Sequence, residues 1–169
     1  MKIILETPRL LLREMTLDDL DFIAALLGDR EVTRFYPQLF SRADAEAWVR
    51  RNLDRYARHG YGLWLVLDRL SGQPVGQVGL IRQLVEGVDE DEVGYLVHRP
   101  FWRRGYATEA ARAVRDHAFE KRQRDHVISL IRPINHPSRG VAAKLGMRPT
   151  RLTLHAGLEH LVYRVDRGS

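Results

Sequence analysis

Residues 93–110 read Val-Gly-Tyr-Leu-Val-His-Arg-Pro-Phe-Trp-Arg-Arg-Gly-Tyr-Ala-Thr-Glu-Ala. The first five form an apolar run of strand length, and positions 100–105 hold loop residues. From 107 to 121, Ala110, Ala111, Val114 and Ala118 recur on one helical face. A buried strand that enters a helix through a loop of small residues is a βα unit of an α/β domain. Helix N-termini present unpaired N–H groups and the positive end of the macrodipole, so such a junction can cradle a phosphate. Gly105 permits close backbone approach, Ala107 keeps the helix start thin, and Thr108 adds a hydroxyl donor. Arg103 and Arg104 supply charge suited to a pyrophosphate or a ribose phosphate. Taken alone, the glycine spacing describes a plain βα turn better than a phosphate site. Neither Gly-x-Gly-x-x-Gly nor Gly-Lys-Ser/Thr is present, so the junction is no dinucleotide fingerprint or nucleotide P-loop.

Outward from this junction, period and punctuation predict one α/β domain with a mixed sheet over residues 1–169. Toward the C-terminus stand a strand at 127–131, a short helix at 138–145 with Gly146 after it, and strands at 150–154 and 161–165. Toward the N-terminus, residues 62–67 and 75–81 read as strands around the Ser71-Gly72 turn. The acidic run 86–92 reads as a connection. Ser41 opens a helix that Gly60 stops, and Thr16 caps another that ends at Gly28. Residues 30–41 are irregular and aromatic, and 9–14 form a short strand.

Composition narrows the function. The 169 residues are 44% hydrophobic and 29% charged, which is globular usage. There is no cysteine, excluding disulfides, thiolate nucleophiles and Cys-ligated metal centres. The seven histidines show no His-Glu-x-x-His spacing, so no metal is expected. Ser-His-Asp catalysis lacks its Gly-x-Ser-x-Gly elbow. No stretch reaches the length of a membrane span, and the N-terminal apolar run is too short for a signal peptide. A cytoplasmic protein is the expectation. The net charge of +5 would favour a polyanionic partner, but the arginines are scattered along the chain. Trp48, Trp64 and Trp102 read as packing residues, so a nucleic acid is not the expected partner.

Five segments in order resemble the GNAT superfamily of N-acetyltransferases, in particular the branch that acetylates ribosomal-protein N-termini. They are Thr7-x-Arg9-Leu-Leu-Leu-Arg13, Glu92-Val-Gly-Tyr95, the 102–107 loop with Thr108-Glu109-Ala110, Asn135-x-x-Ser138, and Lys144-Leu-Gly. Trp102 to Ala107 occupies the family's pyrophosphate loop. The resemblance spans essentially the whole chain. It implies a twisted, mostly antiparallel mixed sheet flanked by helices, with two central strands splayed to form an acetyl-CoA slot. The implied contacts are backbone amides around Tyr95, Leu96 and Val97 for pantetheine and the acetyl carbonyl. Trp102, Arg103, Arg104, Gly105, Tyr106, Ala107 and Thr108 would bind the pyrophosphate, and Asn135 the pantetheine side. The sequence departs from the pattern twice: Arg103 stands where this branch usually has Gly, and the tyrosine that many members use as general acid would fall near Ala142.

The implied reaction is direct attack of an amine on the thioester of acetyl-CoA. It needs a base for the amine, a donor for the nascent oxyanion, and a proton for the thiolate. Glu92 is the candidate base, with Glu159 in reserve. Ser138 is the candidate acid. The plainer readings are a solvated residue in an acidic run for Glu92, a helix-start hydroxyl for Ser138 and a cap or Asx-turn for Asn135. The acceptor is a primary amine, either a protein N-terminal α-amine or a small molecule such as a polyamine. A non-catalytic module that holds a CoA ester or an RNA surface is the rival class.

Overall fold

Ser41 starts the longest helix with a capping box: its Oγ accepts from the Asp44 amide at 3.1 Å, and Asp44 Oδ2 accepts from the Ser41 amide at 2.8 Å. Gly60, in the left-handed region at φ +78°, ends it. The computed structural model, which describes residues 2–169, contains four such helices and eight strands. In chain order they are β1 (Ile3–Glu6), β2 (Leu10–Arg13), α1 (Leu20–Gly28), α2 (Arg42–His59), β3 (Leu63–Asp68), β4 (Pro74–Val85), β5 (Val88–Val97), α3 (Tyr106–Glu120), β6 (His126–Ile131), α4 (His136–Lys144), β7 (Arg148–His155) and β8 (Leu158–Asp166). The strands make one mixed sheet in the order β1-β2-β3-β4-β5-β6-β8-β7, antiparallel except between β5 and β6. Among the described residues no helix is long and apolar enough to cross a membrane.

The acidic run expected to be a connection is instead mostly strand. Glu86 and Gly87, at φ +50° and +81°, form the two-residue hairpin turn, and pairing resumes at Val88 opposite Val85. The strand tolerates consecutive acids because each has a partner. Asp89 meets Arg82 at 2.5 Å, Glu90 meets His126 at 2.6 Å, and Asp91 accepts from the Tyr61 hydroxyl at 2.7 Å and meets Arg124 at 2.5 Å. β1 was not legible, since its four residues are partly exposed and show no strand-like alternation.

Helices cover both faces of the sheet. On one, Ala110, Ala111 and Val114 of α3, Ala142 of α4 and Leu145 at its C-cap bury against Trp64, Val78 and Val93. On the other, Ile23 and Leu27 of α1 and Ala45 and Val49 of α2 bury against Leu63, Leu65 and Ile81. Each fully buried aliphatic side chain contributes about 1.5–3 kcal/mol. Period-2 alternation sorts β5 between these layers: Val93, Tyr95 and Val97 face α3 and α4, while Leu96 belongs to the α1/α2 layer. Glu92 and Gly94 share the parity of Leu96.

The sheet opens between β5 and β6. Their parallel ladder is a single pairing, Glu92 with Ile128, while β6 pairs with β8 all the way to Ile131. Just past the last rung, side chains bridge what backbone no longer does. Ser129 Oγ donates to the Val93 carbonyl at 2.7 Å, and the Leu130 amide donates to Glu92 Oε2 at 2.8 Å.

Candidate active site

A cleft of about 900 Å³ occupies this opening. On the α3 side its wall is the 102–108 segment. Gly105, at φ +77°, is the N-cap residue of α3 and leaves the helix start without a side-chain cap. The first amides of a 15-residue helix are therefore directed at the cleft wall, where an anion can take them. Trp102 folds its indole back to donate to the Val97 carbonyl at 2.7 Å, which ties the loop to the end of β5. Arg103 sits at φ +62°, a left-handed conformation that explains why glycine suits this position.

Residues 100 positions away clamp this loop from behind. Glu109 Oε1 accepts from the Thr7 hydroxyl at 2.7 Å and the Arg9 amide at 3.0 Å, and Oε2 accepts from Arg9 Nε at 2.6 Å. Arg9 also donates to the Arg104 carbonyl at 2.8 Å and lies 4.4 Å from the centre of the Tyr106 ring. The Thr7-x-Arg9 and Thr108-Glu109-Ala110 segments are thus halves of one clamp.

The sequence-predicted residues Tyr95, Leu96, Val97, Trp102, Arg103, Gly105, Tyr106, Ala107, Thr108, Asn135, Glu92 and Ser138 all line the cleft. Their roles divide more sharply than expected. The carbonyls of Val93 and Val97 point to the open edge, so strand alternation turns the Tyr95 peptide there as well and turns Leu96 toward β4. Leu96 therefore offers a side chain, and the open-edge amides are those of Tyr95 and Val97. Arg104 is exposed and is absent from the cleft wall, with its guanidinium 5.7 Å from the Phe101 ring. Lys144 takes a place on the wall instead.

On α4, Asn135 accepts from the Ser138 amide at 3.2 Å and so caps the helix. The Tyr95 hydroxyl donates to the Ser138 carbonyl at 2.6 Å. Burial pushes the Tyr95 phenol up, and it is committed to this bond. Ser138 borders the cleft, with its side chain beside the Tyr95 hydroxyl. Ala142 is fully buried in the core, so the usual tyrosine position is filled by packing.

Glu92 stands where the strands part. Oε2 accepts from the Leu130 amide at 2.8 Å and Oε1 from Gln83 Nε2 at 3.1 Å. Desolvation raises its pKa, against the pull of those two bonds and of the Arg55 charge. A carboxyl at a cleft wall whose basicity is raised by burial is suited to accept a proton. Glu159 is exposed and lies off the cleft wall, while its neighbour His160 lines it and stacks edge-on with His155 at 5.3 Å.

The α1/α2 half of the cleft was not legible as a site. It is walled by Phe35 and Tyr36 of the 30–41 loop and by Trp48, Arg51 and Arg55 of α2. Trp48 Nε1 donates to the buried Gln77 at 2.9 Å. The signal was available in the spacing 48, 51, 55, which shares one helical face.

The Acetyltransferase (GNAT) domain matches residues 9–148. The chain belongs to the GNAT acetyltransferase family. The Bacillus subtilis (strain 168) protein YkkB is 36% identical over 144 residues, 85% of this chain and 84% of that one. The crystal structure of an acetyltransferase from Agrobacterium tumefaciens str. C58 superposes with a TM-score of 0.86 at 27% identity, covering 99% of this chain and 95% of that one. RimL, a ribosomal L7/L12 α-N-protein acetyltransferase solved in complex with coenzyme A, shares the fold with a TM-score of 0.79 at 16% identity, covering 98% of each chain. The splayed GNAT sheet and the α3 loop are therefore the frame within which this chain's own residues act.

Proposed function

We propose that this GNAT acetyltransferase moves an acetyl group from acetyl-CoA to a primary amine, with the donor entering from the α3/α4 side and the amine from the α1/α2 side. The observation that carries the reading is the through-sheet cleft: phosphate-competent amides on one face, and the Glu92 carboxyl on the other, close to the last β5–β6 rung. The uncapped α3 start, Arg103 and Lys144 suit the pyrophosphate and ribose phosphate of CoA, and the 95–97 edge suits the amides of pantetheine. When bound, acetyl-CoA supplies an electrophilic thioester carbonyl and a thiolate leaving group.

Three tasks then fall to the chain. Glu92 takes a proton from the amine nitrogen, directly or through one water, as that nitrogen bonds to the carbonyl carbon. The Tyr95 and Val97 amides on the open edge stabilise the developing oxyanion. Ser138 Oγ donates a proton to sulfur as the C–S bond breaks, and solvent replaces it. The products are the acetylated amine and CoA.

A polyamine acceptor is disfavoured by the acids themselves. Asp89, Glu90 and Asp91 are engaged with Arg82, His126 and Arg124, and they leave Glu92 as the carboxylate of that run on the cleft wall. The test is release of CoA thiol from acetyl-CoA over N-terminal peptides, free amino acids, polyamines and aminoglycosides, beside a melting measurement with CoA. Thiol release that depends on the amine is the expected result. Stabilisation by CoA with no thiol release in any arm would favour the non-catalytic module.

A further inference from the structure

Helix α2 carries five arginines, and three of them are already paired. Arg42 pairs with Asp21 at 2.6 Å, Arg50 with Glu46 at 2.8 Å and Arg58 with Asp54 at 2.9 Å, all toward solvent. Arg51 and Arg55 face the cleft, and neither has a carboxylate within ion-pair distance among the described residues. They stand four residues apart on one face, where like charges repel and weaken a helix. The available acids do not relieve them. Asp44 feels the Arg51 charge but is committed to the Ser41 cap, and Glu92 is held by Leu130 and Gln83.

The two guanidiniums are also held in place. Arg51 lies 5.6 Å from the Trp48 ring centre, and Arg55 Nη1 donates to Asn52 Oδ1 at 3.2 Å, itself fixed by the Leu63 amide at 3.0 Å. Burial, then the neighbouring Arg51, pull the Arg55 pKa down, while Glu92 acts in the opposite sense. Across the cleft, Arg132 donates through Nη1 to the Phe35 carbonyl at 3.0 Å, and its Nε is buried without an acceptor. The cleft wall thus gathers donors that lack an anion on the face opposite the α3 phosphate loop.

Resting on the acyl-transfer reading above, we infer that the acceptor is an amine carrying a carboxylate, which Arg51 and Arg55 bind while its amine faces Glu92. A guanidinium fork matches a carboxylate in two parallel N–H···O bonds. Trp48, Phe35 and Tyr36 wall the space around the carbon skeleton. Arg55 and Glu92 line the same cleft, so cation and base face one bound molecule. An amino acid, or a peptide with an acidic residue near its N-terminus, carries both groups. The same cations repel polyamines and aminoglycosides.

The test uses amines matched except for the carboxylate, with kcat/KM referred to the free-amine form of each: glycine against glycinamide, phenylalanine against phenylalaninamide, and C-terminally amidated peptides with Asp or Asn at the second position. CoA release gives kcat/KM, and the melting temperature in the presence of each amine gives binding without turnover. The carboxylate member should be favoured at least ~10-fold in one arm, and the arm tells a free amino acid from a peptide. Arg51→Gln with Arg55→Gln should abolish that ratio through KM, Arg55→Lys should restore part of it, and Arg50→Gln with Arg58→Gln should leave it intact. Melting shifts specific to carboxylates and lost in the double variant, without thiol release from any amine, would support the anion site and defeat the transferase reading. Equal kinetics for acid and amide, a preference for spermidine, or neither transfer nor shift with any carboxylate would overturn the inference.

Discussion

Glu92 shows how one carboxyl can serve both structure and chemistry. The opening of the sheet leaves the Leu130 amide without a strand partner, and Glu92 accepts it. Glu92→Gln keeps the shape, since Gln83 can rotate its amide to present oxygen to the new NH2 group. The variant should lose on the order of 100-fold in rate with acetyl-CoA affinity nearly unchanged, and the rising limb of the pH–rate profile should move. Stability should move the other way. Desolvation raises the Glu92 pKa above its unfolded value, so the associated stability is present below that unfolded value and is lost as pH rises through the folded one. Glutamine has no such loss. Melting curves from pH 4 to 8 should therefore show the variant gaining on the parent as pH rises; a constant gap would mean the carboxyl is not desolvated. Arg103 carries a different strain. Its left-handed φ of +62° predicts that Arg103→Gly stabilises the chain by about 1 kcal/mol and weakens CoA binding mainly at low salt. A lower melting point would contradict that.

Among the elements, α3 is set by a contact that spans the chain. Burial raises the Glu109 pKa, but bonds from Thr7 and Arg9 outweigh it and hold the carboxyl below its ordinary value. Such a group adds stability above its unfolded pKa, near 4.3, which is lost as pH falls through the folded value. Arg9 is 44% exposed, so solvent screens the pair and about 1 kcal/mol is a fair size. Glu109→Gln should lower the melting temperature by about 2–4 °C at pH 7, with the deficit closing below about pH 4. The same deficit at both pH values would assign the effect to shape and not charge. Strand β5 is the second deciding element. Its parity gives Tyr95 to α4, Leu96 to the α1/α2 core and Glu92 to the cleft.

For the molecule as a whole, the α3 side of the cleft was legible in the sequence and the α1/α2 side was not. The 93–110 junction announces itself locally, because a strand, a glycine at positive φ and a thin helix start are consecutive in sequence. Arg51 and Arg55 look no different from Arg58, which follows on the same helical face, until the fold shows which turns of α2 border the opening. Arg104 next to Arg103, and Glu159 next to His160, differ by one step of side-chain direction that only pairing and loop geometry fix. The acidic run misled because its turn is only two residues, Glu86 and Gly87, and the acids that follow pair across strands. In the proposed reaction the α3 start holds the phosphates of CoA and thereby aims the thioester through the sheet. Calorimetric titration with CoA and with pantetheine tests it most directly, in the parent and in Gly105→Val, whose branched side chain is strained at φ +77°. CoA should bind the parent at least ~100-fold more tightly than pantetheine, and the variant should lose most of that difference; equal affinity of the two ligands for the parent would contradict the account.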